Sequence, residues 1–256
     1  MKFLPTTALL FMLMLLSACA TVEGPADPND PFESYNRSIY NFNDSVDKYV
    51  LKPVAEGYDA ITPDPVQKSI GNFFSNLDDV LVLINDLFQL KLSQAASDTG
   101  RIIINTTLGL FGLIDWASDI GLEKHNEDFG QTLGYWGVPS GPYFVLPFIG
   151  SSTIRDTSGL AVDSTYFDPI YKEVHESFPP PPRDSETAVW GMTVVKTVDI
   201  RAKLLKAEKI LDEAALDRYT FIREAYLQRR QNRVYDGNPP EVKGEAEFNE
   251  DELFED

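Results

Sequence analysis

The sequence predicts an all-α, mainly helical fold in one large domain, and three observations carry that prediction. Apolar side chains recur at three- and four-residue steps along several segments, the spacing that places them on one face of a helix. Asn, Asp or Thr followed by proline opens two of those segments, a pattern suited to helix starts. No stretch shows the strict apolar–polar alternation of a half-buried strand. With 256 residues, 43% of them hydrophobic, the chain is long enough to bury a sizeable core.

The N-terminus reads as an address rather than as part of the fold. Lys2 supplies a positive start, and Ala8 to Leu16 is an apolar run of nine residues. That is too short for a membrane-spanning helix and suited to a signal-peptide core. It runs into Leu16-Ser17-Ala18-Cys19, and Cys19 is the only cysteine of the chain. The arrangement matches a bacterial lipobox, with cleavage after Ala18 and acylation of Cys19. Several acyl chains, at about 0.8 kcal/mol per buried CH₂, make a lasting anchor. Ala20 follows the cysteine instead of the aspartate associated with inner-membrane retention, so the expected home is the outer membrane, approached from the periplasmic side. The expected organisation is a signal peptide over 1–18, a tether over 19–30, a helical domain over 31–235 and an acidic disordered tail over 236–256.

Within the domain, Asn29-Asp30-Pro31 reads as an N-cap with proline at the first helical position. Phe32, Tyr35, Ile39, Phe42, Val46 and Tyr49/Val50 then form one stripe on a helix of about five turns ended by Pro53. Thr62-Pro63 opens a second amphipathic helix through Val66, Ile70, Phe73/Phe74, Leu77, Val80/Leu81, Ile84 and Leu87/Phe88. A third is expected over 93–108, centred on Ile102-Ile103-Ile104. Leu108, Gly109, Leu110, Phe111, Gly112, Leu113 and Ile114 are apolar nearly all round. They admit two readings, a buried core segment or a segment lying in one leaflet. Glycine and proline are dense over 130–147, which excludes a long helix and predicts turns and loops. Pro179 to Pro182 predicts a polyproline break. Two further helices are expected over about 186–206 and 208–235, the second with Arg/Glu pairs on its outer side.

Composition and motifs exclude several functions. A net charge of −18, with 40 acids against 22 bases, repels phosphate backbones and argues against nucleic acid as a partner. The charge is concentrated at the end: residues 236–256 hold nine acids and one lysine, a net of −8. One cysteine allows no intrachain disulfide, and with His125 and His175 the only histidines no metal cluster is expected. There is no G-x-S-x-G elbow for a lipase nucleophile, no H-E-x-x-H and no phosphate-binding loop. His125 and His175 read as surface histidines in charged loops. Asp78-Asp79 and Glu127-Asp128 read as solvated faces or helix-start charges. No catalytic residue and no cofactor is expected. Attention passes to surfaces. Amphipathic helices tethered to a membrane can turn apolar faces to lipid and polar faces to one another, forming a ring around a polar passage.

A resemblance adds to this reading. The segments Asp30-Pro31-Phe32-Glu33-Ser34-Tyr35-Asn36-Arg37-Ser38-Ile39-Tyr40-Asn41-Phe42-Asn43, Asn105 to Asp115, Phe129 to Val138, Ser151 to Asp156 and Arg223 to Arg230 resemble the MlaA/VacJ lipoproteins, over about residues 30–235. The resemblance implies a ring of amphipathic helices around a central channel, sunk in the inner leaflet of the outer membrane beside a trimeric porin. It implies that phospholipids astray in the outer leaflet pass through the channel to a soluble periplasmic lipid carrier. By the same analogy Asn41, Phe42 and Asn43 are placed on the first ring helix, and Leu108 to Ile114 at a ring hinge or channel wall. The alternative reading is a porin-associated structural lipoprotein without transport activity.

Overall fold

A computed structural model describes residues 30–170 and 183–240. The signal peptide, Cys19 and most of the tether, the Pro179–Pro182 break, His175 and the acidic tail from residue 241 onward lie outside the described residues. The elements in order are α1 (Glu33–Val46), a π-helical turn (Asp47–Leu51), α2 (Lys52–Ile61), α3 (Asp64–Phe88), α4 (Leu92–Thr107), α5 (Trp116–Asp119), α6 (Phe129–Tyr135), β1 (Tyr143–Leu146), β2 (Gly150–Thr153), α7 (Ile154–Val162), a second π-helical turn (Asp163–Phe167), α8 (Arg183–Ala214) and α9 (Arg218–Val234). The fold is mainly α, as the periodicities predict.

Several boundaries differ from the expectation. Asp30 does not cap α1. It is buried and spends its carboxylate on distant donors: Asn36 Nδ2 at 2.7 Å, Arg223 Nη1 at 3.1 Å and the Tyr219 hydroxyl. Nor does Pro53 end the first helix. A π turn precedes it, in which Lys52 N–H donates to the carbonyl of Asp47, five residues back. The wider turn leaves room for a residue without an N–H, and the chain continues helically to Ile61. The last two helices part at Ala215–Asp217 instead of near Ala207, because the Asp217 side chain accepts from Tyr219 N–H and caps α9.

The Gly/Pro-rich stretch also holds more regular structure than turns and loops. Asp128 caps α6 by accepting from Gln131 N–H at 2.9 Å. Beyond it β1 and β2 form an antiparallel hairpin in the register Tyr143↔Thr153 to Leu146↔Gly150. Four residues per strand are too few to show alternation against the surrounding glycines and prolines. Two amides of α1 hold this hairpin. Asn36 donates to Tyr143 O at 3.1 Å and accepts from Val145 N at 2.9 Å, and Asn43 does the same with Leu146 O and Phe148 N at 2.9 and 2.8 Å. They are seven residues apart, two helical turns, so both face the strand. A small apolar core of Ile39, Tyr143, Val145 and Tyr219 fills the space behind them.

The α3–α4 pair is joined by three residues, Gln89–Lys91, which forces the two helices to run antiparallel. Its faces are inverted relative to a water-soluble helical hairpin. On α3 the buried positions include Asn76, Asp79, Asn85 and Asp86, and on α4 they are Ala95, Asp98, Arg101 and Asn105. Val66, Leu87, Phe88, Leu92 and Ile103 are exposed. The inversion is general: among the described residues 21 buried side chains are polar or charged and 12 are hydrophobic. In a soluble domain of this size the ratio runs the other way.

Candidate functional site

The segment Leu108 to Ile114 links α4 to α5 and is no part of a core. Leu108, Leu110 and Phe111 are 68, 59 and 75% exposed, and Leu113, Ile114 and Trp116 continue the patch. The backbone is held tightly in this form. Phe111 N donates to Thr106 O at 3.0 Å, Gly112 N to Asn105 O at 2.8 Å and Ile114 N to Gly109 O at 2.9 Å. Leu110 and Phe111 adopt left-handed φ of 53° and 59°. Gly112 has φ +90°, and a Cβ there would meet Asn76 Cβ at 2.6 Å, so only glycine fits. Asp115 anchors the loop's end by capping α5. Burial alone would raise its pKa, but hydrogen bonds from Ser118 and Asn105 and the charge of Arg101 hold it at about 2. A strained backbone that displays leucine and phenylalanine is doubly unfavourable in water, so the arrangement favours an apolar surround.

Behind this surface the charges are paired inward. Arg101, 1% exposed, reaches Asp115 at 3.2 Å, the Leu122 carbonyl at 2.7 Å and Asp79 at 3.5 Å. Lys124 pairs with the other oxygen of Asp79, and burial lowers its pKa to about 8. Glu127 is buried against Lys91 at 2.9 Å. Asp79 and Glu127 are therefore not solvated, as read from sequence, and Asp128 is the helix-start charge. His125 is also half-buried, with Nδ1 2.9 Å from the buried Asp98. Beside it, burial and a hydrogen bond with Asp98 push Asp86 up to about 8. Arg223 and Arg230 of α9, expected on an outer face, point inward to Asp30 and to Asp128 and Asp156.

A cavity of about 770 Å³ lies between α1, the hairpin, α8 and α9. Tyr40, Asn43 and Asp44 of α1 with Asp47 of the first π turn line one wall, Arg201, Leu204, Glu208 and Leu211 of α8 another, and Arg218, Ile222, Ala225 and Arg229 of α9 a third. The wall is amphipathic. Arg201 binds Asp47 with two nitrogens at 2.6 and 2.8 Å and Glu208 at 2.7 Å. A second pocket of about 340 Å³ is almost wholly apolar, formed by Ile70, Phe73, Phe74 and Leu113 against Ala188, Met192 and Val195 of α8.

Of the residues singled out from sequence, Asn43 lines the large cavity. Phe42 is exposed and meets Phe148 edge-on at 5.2 Å, and Asn41 faces outward. Leu108 to Ile114 do not line that cavity; Leu113 alone belongs to the apolar pocket. Asn36, Asp30, Arg101 and the arginines of the cavity wall were not legible as site residues, because their partners lie on other elements, up to 193 positions away, or face a void that no local pattern marks. For Asn36 a signal existed: it shares a helical face with Asn43. Among the described residues no group of acids, histidines or cysteines is arranged to hold a metal, and no helix is long and apolar enough to cross a membrane.

Comparison with known proteins places this geometry. The family model described as MlaA lipoprotein matches residues 28–233. The chain is 35% identical over 246 residues to the intermembrane phospholipid transport system lipoprotein MlaA of Haemophilus influenzae, covering 93% of this chain and 92% of that one. It is 35% identical over 209 residues to the protein of the same description from Escherichia coli K12, covering 78 and 76%. A solved structure from work on the structural basis for maintenance of bacterial outer membrane lipid asymmetry superposes with a TM-score of 0.66 at 33% identity, over 82% of this chain and 99% of that one.

Proposed function

We propose, from the premise that this chain belongs to the MlaA lipoprotein family, that it is the outer-membrane component of an intermembrane phospholipid transport system. It removes phospholipids that have strayed into the outer leaflet and passes them to a soluble periplasmic carrier, maintaining lipid asymmetry without a chemical step. Acylated Cys19 holds it to the periplasmic side of the outer membrane, beside a trimeric porin.

The observation that carries this reading is the inversion of the fold, with exposed leucine, isoleucine and phenylalanine outside and paired charges inside. Leaving a headgroup's charge unpaired in hydrocarbon is very costly, whereas acyl chains need an apolar surround. Helices with polar faces inward and apolar faces outward offer both at once. The cavity between α1, the hairpin, α8 and α9 is the passage in this reading, with Asn43 on its wall. Leu108, Leu110, Phe111, Leu113 and Ile114 are the part that seats in the inner leaflet. The tight turns at Gly109 and Gly112 make that segment a fixed knuckle more than a hinge.

The test is the amount of phospholipid exposed on the surface of cells lacking the gene, compared with cells restored by the wild type or by Cys19→Ala. Surface phospholipid is expected to rise on deletion and to be corrected by the wild type alone. Unchanged asymmetry in every strain would leave a structural, porin-associated role in its place.

A further inference from the structure

The large cavity has two charged ends and an apolar middle, and the charges are not alike. Along α9, Arg218, Ile222, Ala225 and Arg229 are spaced four, three and four residues apart, which sets them in one stripe facing the cavity. The guanidiniums at its ends are eleven residues apart, about 16 Å along the axis. Arg218 is held by Asp44 at 3.8 Å and by Glu208 at 4.0 Å. Across the cavity Arg201 is saturated by Asp47 and Glu208. The three lining acids thus sit on Arg201 and Arg218. Arg229 is the exception: it is exposed and makes no ion pair among the described residues. Its neighbours on α9 do not compensate it. Arg230 is taken by Asp128 and Asp156, and burial together with the charges of Arg229 and Arg230 pushes the Arg233 guanidinium down.

We infer that Arg229 is the seat for the phosphodiester of a glycerophospholipid headgroup, with the lipid's apolar part laid along Ile222 and Ala225 toward Leu204 and Leu211. This rests on the phospholipid-transport reading and adds to it a recognition residue. The chemistry fits one guanidinium and one singly charged phosphodiester. An Arg fork binds two phosphate oxygens at once. At the far side Arg201 and Arg218 are already engaged by Glu208, Asp44 and Asp47, so the phosphate has one favourable end and the lipid one orientation. A lipid lacking phosphate finds the same apolar wall without that bond.

The experiment uses the full lipidated protein, purified in detergent as wild type, Arg229→Gln and Arg229→Lys. Each is incubated with radiolabelled phosphatidylglycerol, and separately with diacylglycerol of the same acyl chains, and bound lipid per protein is counted. Wild type is expected to hold the phospholipid in preference to diacylglycerol. R229Q is expected to lose about tenfold of phospholipid retention, the worth of one charge-assisted contact, and to keep its diacylglycerol level and its circular dichroism. R229K is expected to fall between. Equal phospholipid retention by R229Q and wild type overturns the assignment while leaving the transport reading intact. Wild-type protein that holds neither lipid overturns the transport reading itself.

Discussion

Asp86 and Asn36 show how single residues in this chain answer to partners far from them in sequence. Asp86 is fully buried, and neither carboxylate oxygen accepts from a donor among the described residues. Burial first, and the neighbouring Asp98 carboxylate second, push its pKa up to about 8 from 3.8, so it holds a proton at neutral pH. The folded state therefore holds a proton that the unfolded state releases. Its stabilising contribution is complete below about pH 4 and is lost as pH rises through about 8. Asp163, raised to about 6 chiefly by burial, adds to the same trend. Thermal unfolding of the detergent-solubilised protein is thus expected to show a falling midpoint from about pH 5 to about pH 8. Asp86→Asn, which mimics the protonated acid, should flatten that fall, and an identical slope in the variant would refute the assignment. Asn36 is the second case. Asn36→Ala takes a partner from Val145 N–H and from the Tyr143 carbonyl and one of three donors from the buried Asp30 carboxylate, a cost of about 2 to 4 kcal/mol. Denaturant unfolding reads this directly. Asn43→Ala, at a partly exposed site, should cost less.

The elements divide into those whose cause is local and those whose cause is not. α3 and α4 were legible to within a residue or two because their stripes are long and Thr62-Pro63 punctuates the first. What could not be read from periodicity is which way the stripes face. The same pattern serves a helix around an apolar core and a helix in lipid; the orientation follows from Arg101, Asp79 and Asp98 needing one another more than they need water. The hairpin was missed because four-residue strands between glycines carry no period, and their register is set by Asn36 and Asn43 of another element. Pro53 misled because the π turn that accommodates it has no sequence signature. At this scale the Leu108–Ile114 loop yields two expectations. Gly112→Ala forces a Cβ into Asn76 at φ +90°, and a cost of about 1 to 3 kcal/mol is expected in the unfolding free energy. Leu110→Asp with Phe111→Asp removes exposed apolar side chains only, so unfolding in detergent should shift by no more than about 0.5 kcal/mol. The same double variant should fail to restore lipid asymmetry in cells. Full restoration would remove the loop from any part in membrane contact.

At the scale of the whole molecule, the chain reads as a fold turned outside in, with paired charges within and exposed leucine, isoleucine and phenylalanine without. The helical class and the family were legible in the sequence, the latter from ordered motifs such as Phe129 to Val138. The polar interior was not, since buried salt bridges such as Arg101 with Asp79 join positions 22 apart with nothing between them to mark the pair. Nor was the cavity, whose walls come from four separate elements. The inversion is the central claim, and Trp116 reports on it most directly, being 45% exposed beside the Leu108–Ile114 knuckle. In protein retaining Trp116 alone, with Trp136→Phe and Trp190→Phe, reconstituted into bilayer vesicles, fluorescence is measured against lipids brominated on their acyl chains and against aqueous acrylamide. Strong quenching by the brominated chains with protection from acrylamide is the result this structure predicts. Free quenching by acrylamide with indifference to brominated lipid would contradict it.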